Sequence, residues 1–159
     1  MLTERVKKFM QRAIELSREG MVEGKGGPFG CVIVKDDEIV GEGSNEVTST
    51  NDPTAHAEVV AIRDACAKLG TYQLEDCEIY ASCEPCPMCL GAIYWSRARR
   101  VIYANTKEDA AAIEFDDAFI YEEINASMLQ RKIPFIHYPS EQAKDVFNQW
   151  DNMSGKKEY

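Results

Sequence analysis

Residues 78–96 read Glu78-Ile79-Tyr80-Ala81-Ser82-Cys83-Glu84-Pro85-Cys86-Pro87-Met88-Cys89-Leu90-Gly91-Ala92-Ile93-Tyr94-Trp95-Ser96. The short apolar run from Glu78 to Ser82 predicts a strand. Pro87 stands where a helix accepts proline best, at its first position, so a helix is predicted from Pro87 to Trp95. That helix opens directly after Cys86, which puts Cys86 and Cys89 in its first turn. There the unpaired amides and the macrodipole favour thiolate over thiol. A strand that runs into a helix start is the repeating unit of α/β folds.

Working outward, a further strand is expected at Arg100–Ala104 and a helical region around Ala118–Leu129. A short strand at Pro134–Tyr138 and a helix from about Ser140 to Trp150 follow. Upstream, Val6, Phe9, Met10, Ala13 and Ile14 lie at helical spacing, predicting a helix over Thr3–Ser17 that ends by Gly20. Cys31–Lys35 and Glu38–Gly43 predict a hairpin joined at Asp36-Asp37. Asn45 to Pro53 reads as polar loop. A second long helix is predicted from near Thr54, capped by Asp52 or Thr54 and closed by Gly70. Its apolar stripe of Val59, Ile62, Cys66 and Leu69 is expected to carry His56 toward the core. The alternation predicts an α/β fold, a three-layer α-β-α sandwich around a mixed, mostly parallel five-stranded sheet. Length suits a single domain over residues 1–159. Ligands in such sheets sit beyond the carboxyl ends of strands, where loops enter helix N-termini.

Composition narrows the function. Eighteen Lys and Arg against 27 Asp and Glu give a net charge of −9, which repels phosphate backbones and argues against nucleic-acid partners. Arg97, Arg99 and Arg100 form the one basic cluster and read as a solvated loop edge. No apolar run approaches the ~20 residues of a membrane span and no signal segment is evident, so a cytoplasmic location without membrane partners is expected. In a reducing compartment the six cysteines imply ligation or burial, not disulfides. Cys31, Cys66 and Cys77 lie in apolar surroundings and read as small buried side chains.

The chemistry lies in two stretches, Thr54-Ala55-His56-Ala57-Glu58 and Cys83-Glu84-Pro85-Cys86-Pro87-Met88-Cys89. Together they offer an imidazole, a cysteine pair three residues apart and a carboxylate. Zinc takes such ligands tetrahedrally, and three protein ligands leave a position for water, whose pKa the ion lowers toward ~7. Glu58 lies about 200° around an ideal helix from His56, so the two can share a site only beyond the helix end. Taken singly, a His on an apolar stripe is a core residue and an acid in a first turn offsets the dipole. Their joint occurrence at two helix starts argues for a site. A closed Cys₃His structural centre of His56, Cys83, Cys86 and Cys89 is the alternative of a different class.

The spelling His56-Ala57-Glu58 with Pro85-Cys86-Pro87-Met88-Cys89 resembles the signature of zinc nucleobase deaminases, which selects Cys86 and Cys89 and leaves Cys83 at a strand end. The likeness extends over Gly26-Gly27-Pro28-Phe29-Gly30, Asn51 to Glu58, Met88 to Trp95, Phe115-Asp116-Asp117 with Phe119-Ile120-Tyr121, and the closing Lys157-Glu158-Tyr159. In these the chain is similar to bacterial guanine deaminases of the cytidine-deaminase-like fold. The resemblance implies zinc held by His56, Cys86 and Cys89, with Glu58 moving protons. It implies Asn45, Phe29, Ala57, Trp95 and Tyr159 around a purine base, and Asp117 on the purine amine or ring nitrogen. It also implies a homodimer that exchanges a C-terminal segment, residues 140–159, so that Tyr159 serves the neighbouring site. Another base or nucleoside as substrate, namely guanosine, cytosine or transfer-RNA adenosine, is the alternative within the same chemistry.

Overall fold

The structure, a computed structural model, describes residues 3–159 and divides into two compact units, Met1–Ala118 and Phe119–Tyr159. In the first unit, helix α1 (Glu4–Val22) starts at Thr3, whose hydroxyl accepts from Val6 N. Strands β1 (Gly30–Lys35) and β2 (Glu38–Ser44) form the hairpin, turning through Asp36 and Asp37, both at positive φ as a two-residue type I′ turn requires. A single helical turn, α2 (Val47–Thr50), precedes α3 (Ala57–Leu69). Then come β3 (Glu78–Cys83), α4 (Pro87–Ser96), β4 (Arg100–Asn105), α5 (Lys107–Ala112) and the start of α6 (Ala118–Asn125).

The sheet order is β2-β1-β3-β4, with β1 antiparallel to both β2 and β3, and β3 parallel to β4. Alternation along β1 sorts the core. Cys31 and Ile33 face a cluster with Ala57, Ala61, Ala65 and Ile93 of α3 and α4, while Val32 and Val34 face Phe9 and Ala13 of α1 together with Tyr80. Helices thus cover both faces, and the three layers expected from the sequence are present. The sheet departs from expectation in having four strands, with one parallel pairing of three. Pro134–Tyr138 carries no strand, since its backbone groups have no sheet edge to bond within the Phe119–Tyr159 unit.

Two helix readings also change. The first helix runs through Gly20, which is buried and packs so closely on Ser44 that a Cβ would lie 2.7 Å from its side chain. Gly20 serves close approach, not termination. Helix α3 begins at Ala57 with His56 at its N-cap, so neither Asp52 nor Thr54 caps it, whereas Gly70 does end it in the left-handed region. Its buried face is Ala57, Glu58, Ala61 and Ala65, not the expected stripe of larger residues. The cause lies in β2. Cβ atoms on Gly41 and Gly43 would sit 2.6 Å from Ala61 O and 2.4 Å from Ala57 O, so only small residues fit between strand and helix. Glu58 is thereby turned inward.

The second unit holds the rest of α6, a 3₁₀ turn (Met128–Gln130) and α7 (Glu141–Asp151), capped by Ser140 Oγ on Ala143 N. Glu123 ties it internally, its carbonyl accepting from Arg131 Nε at 3.0 Å and its carboxylate from Lys132 N at 2.9 Å. The tail carries no helix beyond Asp151, and Lys156 Nζ donates to Asp151 O at 2.9 Å. No described helix is long and apolar enough to cross a membrane.

Candidate metal centre and active site

Two helices on the same face of the sheet present the same position to one point. His56 is the N-cap of α3 and Cys86 the N-cap of α4; both have extended backbone and neither side chain makes a capping bond. Pro87 fixes the first turn of α4, and Cys89 lies one turn on, fully buried. His56 Nδ1 is 3.5 Å from Cys86 Sγ and 3.5 Å from Cys89 Sγ, and all three atoms lie within 4.8 Å of one another. A tetrahedral zinc with bonds of ~2.0 Å to nitrogen and ~2.3 Å to sulfur sets those atoms about 3.5 Å apart, so the donors fit one zinc ion. Cys83 ends β3 as expected. Its Sγ points to Thr106 O at 3.6 Å, and it stands outside the group of three.

The electrostatics suit a cation. Cys86 is drawn down to about 4 because it accepts from the Cys89 thiol and from His56, against the cost of burial. His56 is raised by the same contact with Cys86. Glu58 is 8% exposed, and its Oε2 accepts from Cys89 Sγ at 3.4 Å. Burial pushes its carboxyl up, with the Cys86 charge adding to the effect. A carboxyl with that bias beside three metal donors can hold a proton and return it.

Of the residues expected around a base, Phe29 and Asn45 fall into a connected group. Phe29 O accepts from Asn45 N at 3.0 Å, and Glu46 N donates to Ala55 O at 2.9 Å, which joins this loop to the one bearing His56. Asn45 is buried and its Oδ1 accepts from Val47 N at 3.1 Å. Phe29 meets Phe115 edge to face, centroids 5.0 Å apart. That contact brings the Asp116-Asp117 segment to the same region. Asp116 Oδ1 accepts from Ala118 N at 2.8 Å, a structural task at the start of α6. Asp117 is raised by burial and by the negative Cys86, while Lys107 pulls the other way. Ala57 is the buried first residue of α3. Trp95 lies nine residues past Cys86, about 13 Å of helical rise, and is exposed with Arg97 over its ring at 5.9 Å. The first unit does not bring it to the metal donors. Tyr159 belongs to the second unit.

A family model for the cytidine and deoxycytidylate deaminase zinc-binding region matches residues 3–105, which span every metal donor and Glu58. The chain belongs to the cytidine and deoxycytidylate deaminase family. Among members of that family, guanine deaminase of Bacillus subtilis (strain 168) is 56% identical over 151 residues, covering 95% of this chain and 97% of its own. The X-ray structure of guanine deaminase from Bacillus subtilis superposes with a TM-score of 0.95 at 54% identity, covering 99% of both chains. A tRNA-specific adenosine deaminase of Aquifex aeolicus (strain VF5) is 32% identical over 142 residues, 89% of this chain and 91% of its own. Zinc is the metal of this deaminase family, in accord with the donor spacing.

Two residues packed against Phe29 and Asn45 carry no role in the sequence reading. Phe115 meets the Phe29 ring edge to face, yet an aromatic in an acidic, irregular stretch has no periodic signal. Gly26 lies against Asn45, where a Cβ would come within 2.1 Å of Oδ1. The glycine-rich run at residues 24–30 is a breaker signal, but only the packing reveals that Gly26 leaves room for the amide.

Proposed function

We propose that this chain hydrolyses guanine to xanthine and ammonia, with zinc held by His56, Cys86 and Cys89. The observation that carries the reading is the buried Glu58 carboxylate, 3.4 Å from one of three donors spaced for a single zinc. Zinc, when bound, supplies a water that loses its proton near neutral pH. Glu58 would take that proton and pass it to the ring nitrogen beside the amine-bearing carbon as the hydroxyl bonds to that carbon; the second proton, from that hydroxyl, would pass through Glu58 to the amine, which leaves as ammonia while the carbonyl forms. A carboxyl raised by burial suits this two-way transfer.

The remaining residues hold the base. Phe29 supplies an aromatic face. Asn45 Oδ1 is taken by Val47 N, which leaves its Nδ2 hydrogens to donate to the purine. Ala57 offers the backbone N–H of a first helical residue, which the helix does not use. Asp117 accepts from the purine amine or ring N–H and relays a second proton.

A homodimer that exchanges residues 140–159, bringing Tyr159 of the partner subunit over the pocket and enclosing Trp95, completes the proposal. Its support is physical. In Phe119–Tyr159 no described residue is buried, although Leu129, Ile136, Tyr138 and Phe147 are large and apolar. Strand β4 is an edge of the sheet and Pro134–Tyr138 has the composition of a strand. Ligand thiolates favour a reducing compartment, which accords with the cytoplasm.

The test is ammonia release by zinc-loaded protein from guanine, guanosine, cytosine and an adenosine-bearing transfer-RNA stem-loop. Guanine is expected to give the highest kcat/KM. The Aquifex relative makes the RNA substrate a fair rival, though the −9 net charge opposes it. Turnover of RNA with none of guanine would overturn the proposal.

A further inference from the structure

His56 approaches the metal donors from an irregular segment, since α3 begins only at Ala57. One carboxylate outside the site fixes that segment. Asp52 Oδ1 accepts from Thr54 N at 2.8 Å and from Thr54 Oγ1 at 2.7 Å. Backbone bonds carry the restraint onward. Ala55 N donates to Asp52 O at 3.1 Å, His56 N to Thr54 O at 2.8 Å, and Glu46 N to Ala55 O at 2.9 Å. The other carboxylate oxygen faces Arg63 Nη1 of α3 at 3.6 Å. That ion pair is exposed and long, and such pairs contribute little. The two bonds at Oδ1 accept onto a charged oxygen and are the stronger restraint. They also hold the Asp52 carboxyl below its ordinary value.

From this geometry we infer that Asp52 is a positioning residue, whose Oδ1 holds Thr54 so that His56 is set for zinc before the ion arrives. The sequence suggests a helix cap for Asp52, but four residues separate it from the start of α3 at Ala57. An imidazole on an unrestrained loop would lose conformational freedom on each binding event; one already fixed does not. The inference rests on His56 being a zinc ligand, as proposed above.

The experiment follows transfer of zinc from the full chain to excess chelator in the wild type, Asp52→Ala, Asp52→Asn and Thr54→Val. The absorption of the cobalt-substituted proteins and the urea midpoints are measured alongside. Asp52→Ala is expected to release zinc about tenfold faster and to shift the cobalt bands. Asp52→Asn keeps an oxygen acceptor and is expected to stay within about threefold of wild type. Should Asp52→Ala not fold, Thr54→Val, which loses one of the two bonds, is expected to release zinc about threefold faster. The inference is overturned if both Asp52→Ala and Thr54→Val release zinc at the wild-type rate. It is equally overturned if Asp52→Asn is as fast as Asp52→Ala, or if faster release merely tracks lost urea stability. A wild-type chain that holds no zinc would refute the metal reading itself, before any variant is compared.

Discussion

Replacing Gly43 with alanine tests whether the close fit of β2 on α3 positions the site. A Cβ at Gly43 would lie 2.4 Å from Ala57 O, 2.6 Å from Ala61 N and 3.0 Å from Val60 Cβ, where ordinary contact begins at 3.4 Å. Two of the three obstacles are backbone, so the start of α3 must retreat by about 1 Å in a close-packed interior. Overpacking of this kind costs about 1–3 kcal/mol, or a fall in Tm of roughly 2–10 °C for a chain of this size. A displacement of that size next to His56 and Glu58 is expected to lower kcat/KM about 100-fold. Gly41→Ala is the control. Its Cβ would meet Ala61 O at 2.6 Å and Ala65 at 2.7 Å, farther along α3, so it is expected to cost similar stability with a much smaller loss of activity. Thermal melts and steady-state ammonia assays on both variants decide the matter. If Gly43→Ala and Gly41→Ala lose activity equally, or Gly43→Ala loses none, the link from glycine packing to the metal site is wrong.

Glu58→Gln is expected to keep its zinc while kcat falls about 10²–10⁴-fold, read by metal analysis and turnover of one preparation; a fully active variant contradicts the proton-transfer role. Asp117→Asn is expected to reduce kcat/KM for guanine at least about tenfold, and undiminished turnover would remove it from the site. Away from the site, Glu78 carries the cost of burial yet is held down to about 2 by Arg5, Arg100 and Tyr80. A carboxyl lowered by folding stabilises above its ordinary value of 4.5, and that stabilisation is lost as pH falls from about 4.5 toward 2. Glu78→Gln is therefore expected to lower Tm at pH 7 and to flatten its dependence on pH across that window; an unchanged slope would show that the network does not couple to folding.

The layered fold was legible because β1, β3 and the start of α4 announce themselves locally, whereas α3 begins at Ala57, later than the Asp52 or Thr54 cap suggested. Val32 and Ile33 alternate between two cores, and Pro87 fixes where α4 begins. What stayed hidden depends on partners distant in sequence. The small-residue face of α3 follows from Gly41 and Gly43 on another strand, so a stripe of larger residues was the reasonable reading from periodicity alone. Gly20 looks like a stop signal until Ser44 is seen against it. Pro134–Tyr138 has strand composition, but a strand needs an edge, and composition does not state whether one is within reach. Short helices such as α2 and α5 lack the length for a periodic signal; the capping box of Thr106 and Asp109 was the readable trace of α5. At the site, the metal donors and Glu58 stood in two compact motifs, whereas Asp117 rested on the resemblance alone, and the bond from Ala118 N that engages Asp116 shows only in the structure.

X-ray absorption at the zinc edge of purified, zinc-loaded protein tests the central claim most directly. The account predicts two sulfur neighbours at about 2.3 Å, one nitrogen at about 2.0 Å, and one light atom that azide or a purine analogue displaces. A third sulfur in the zinc shell, lost in Cys83→Ser, would mean a centre closed by protein and would contradict a hydrolytic site.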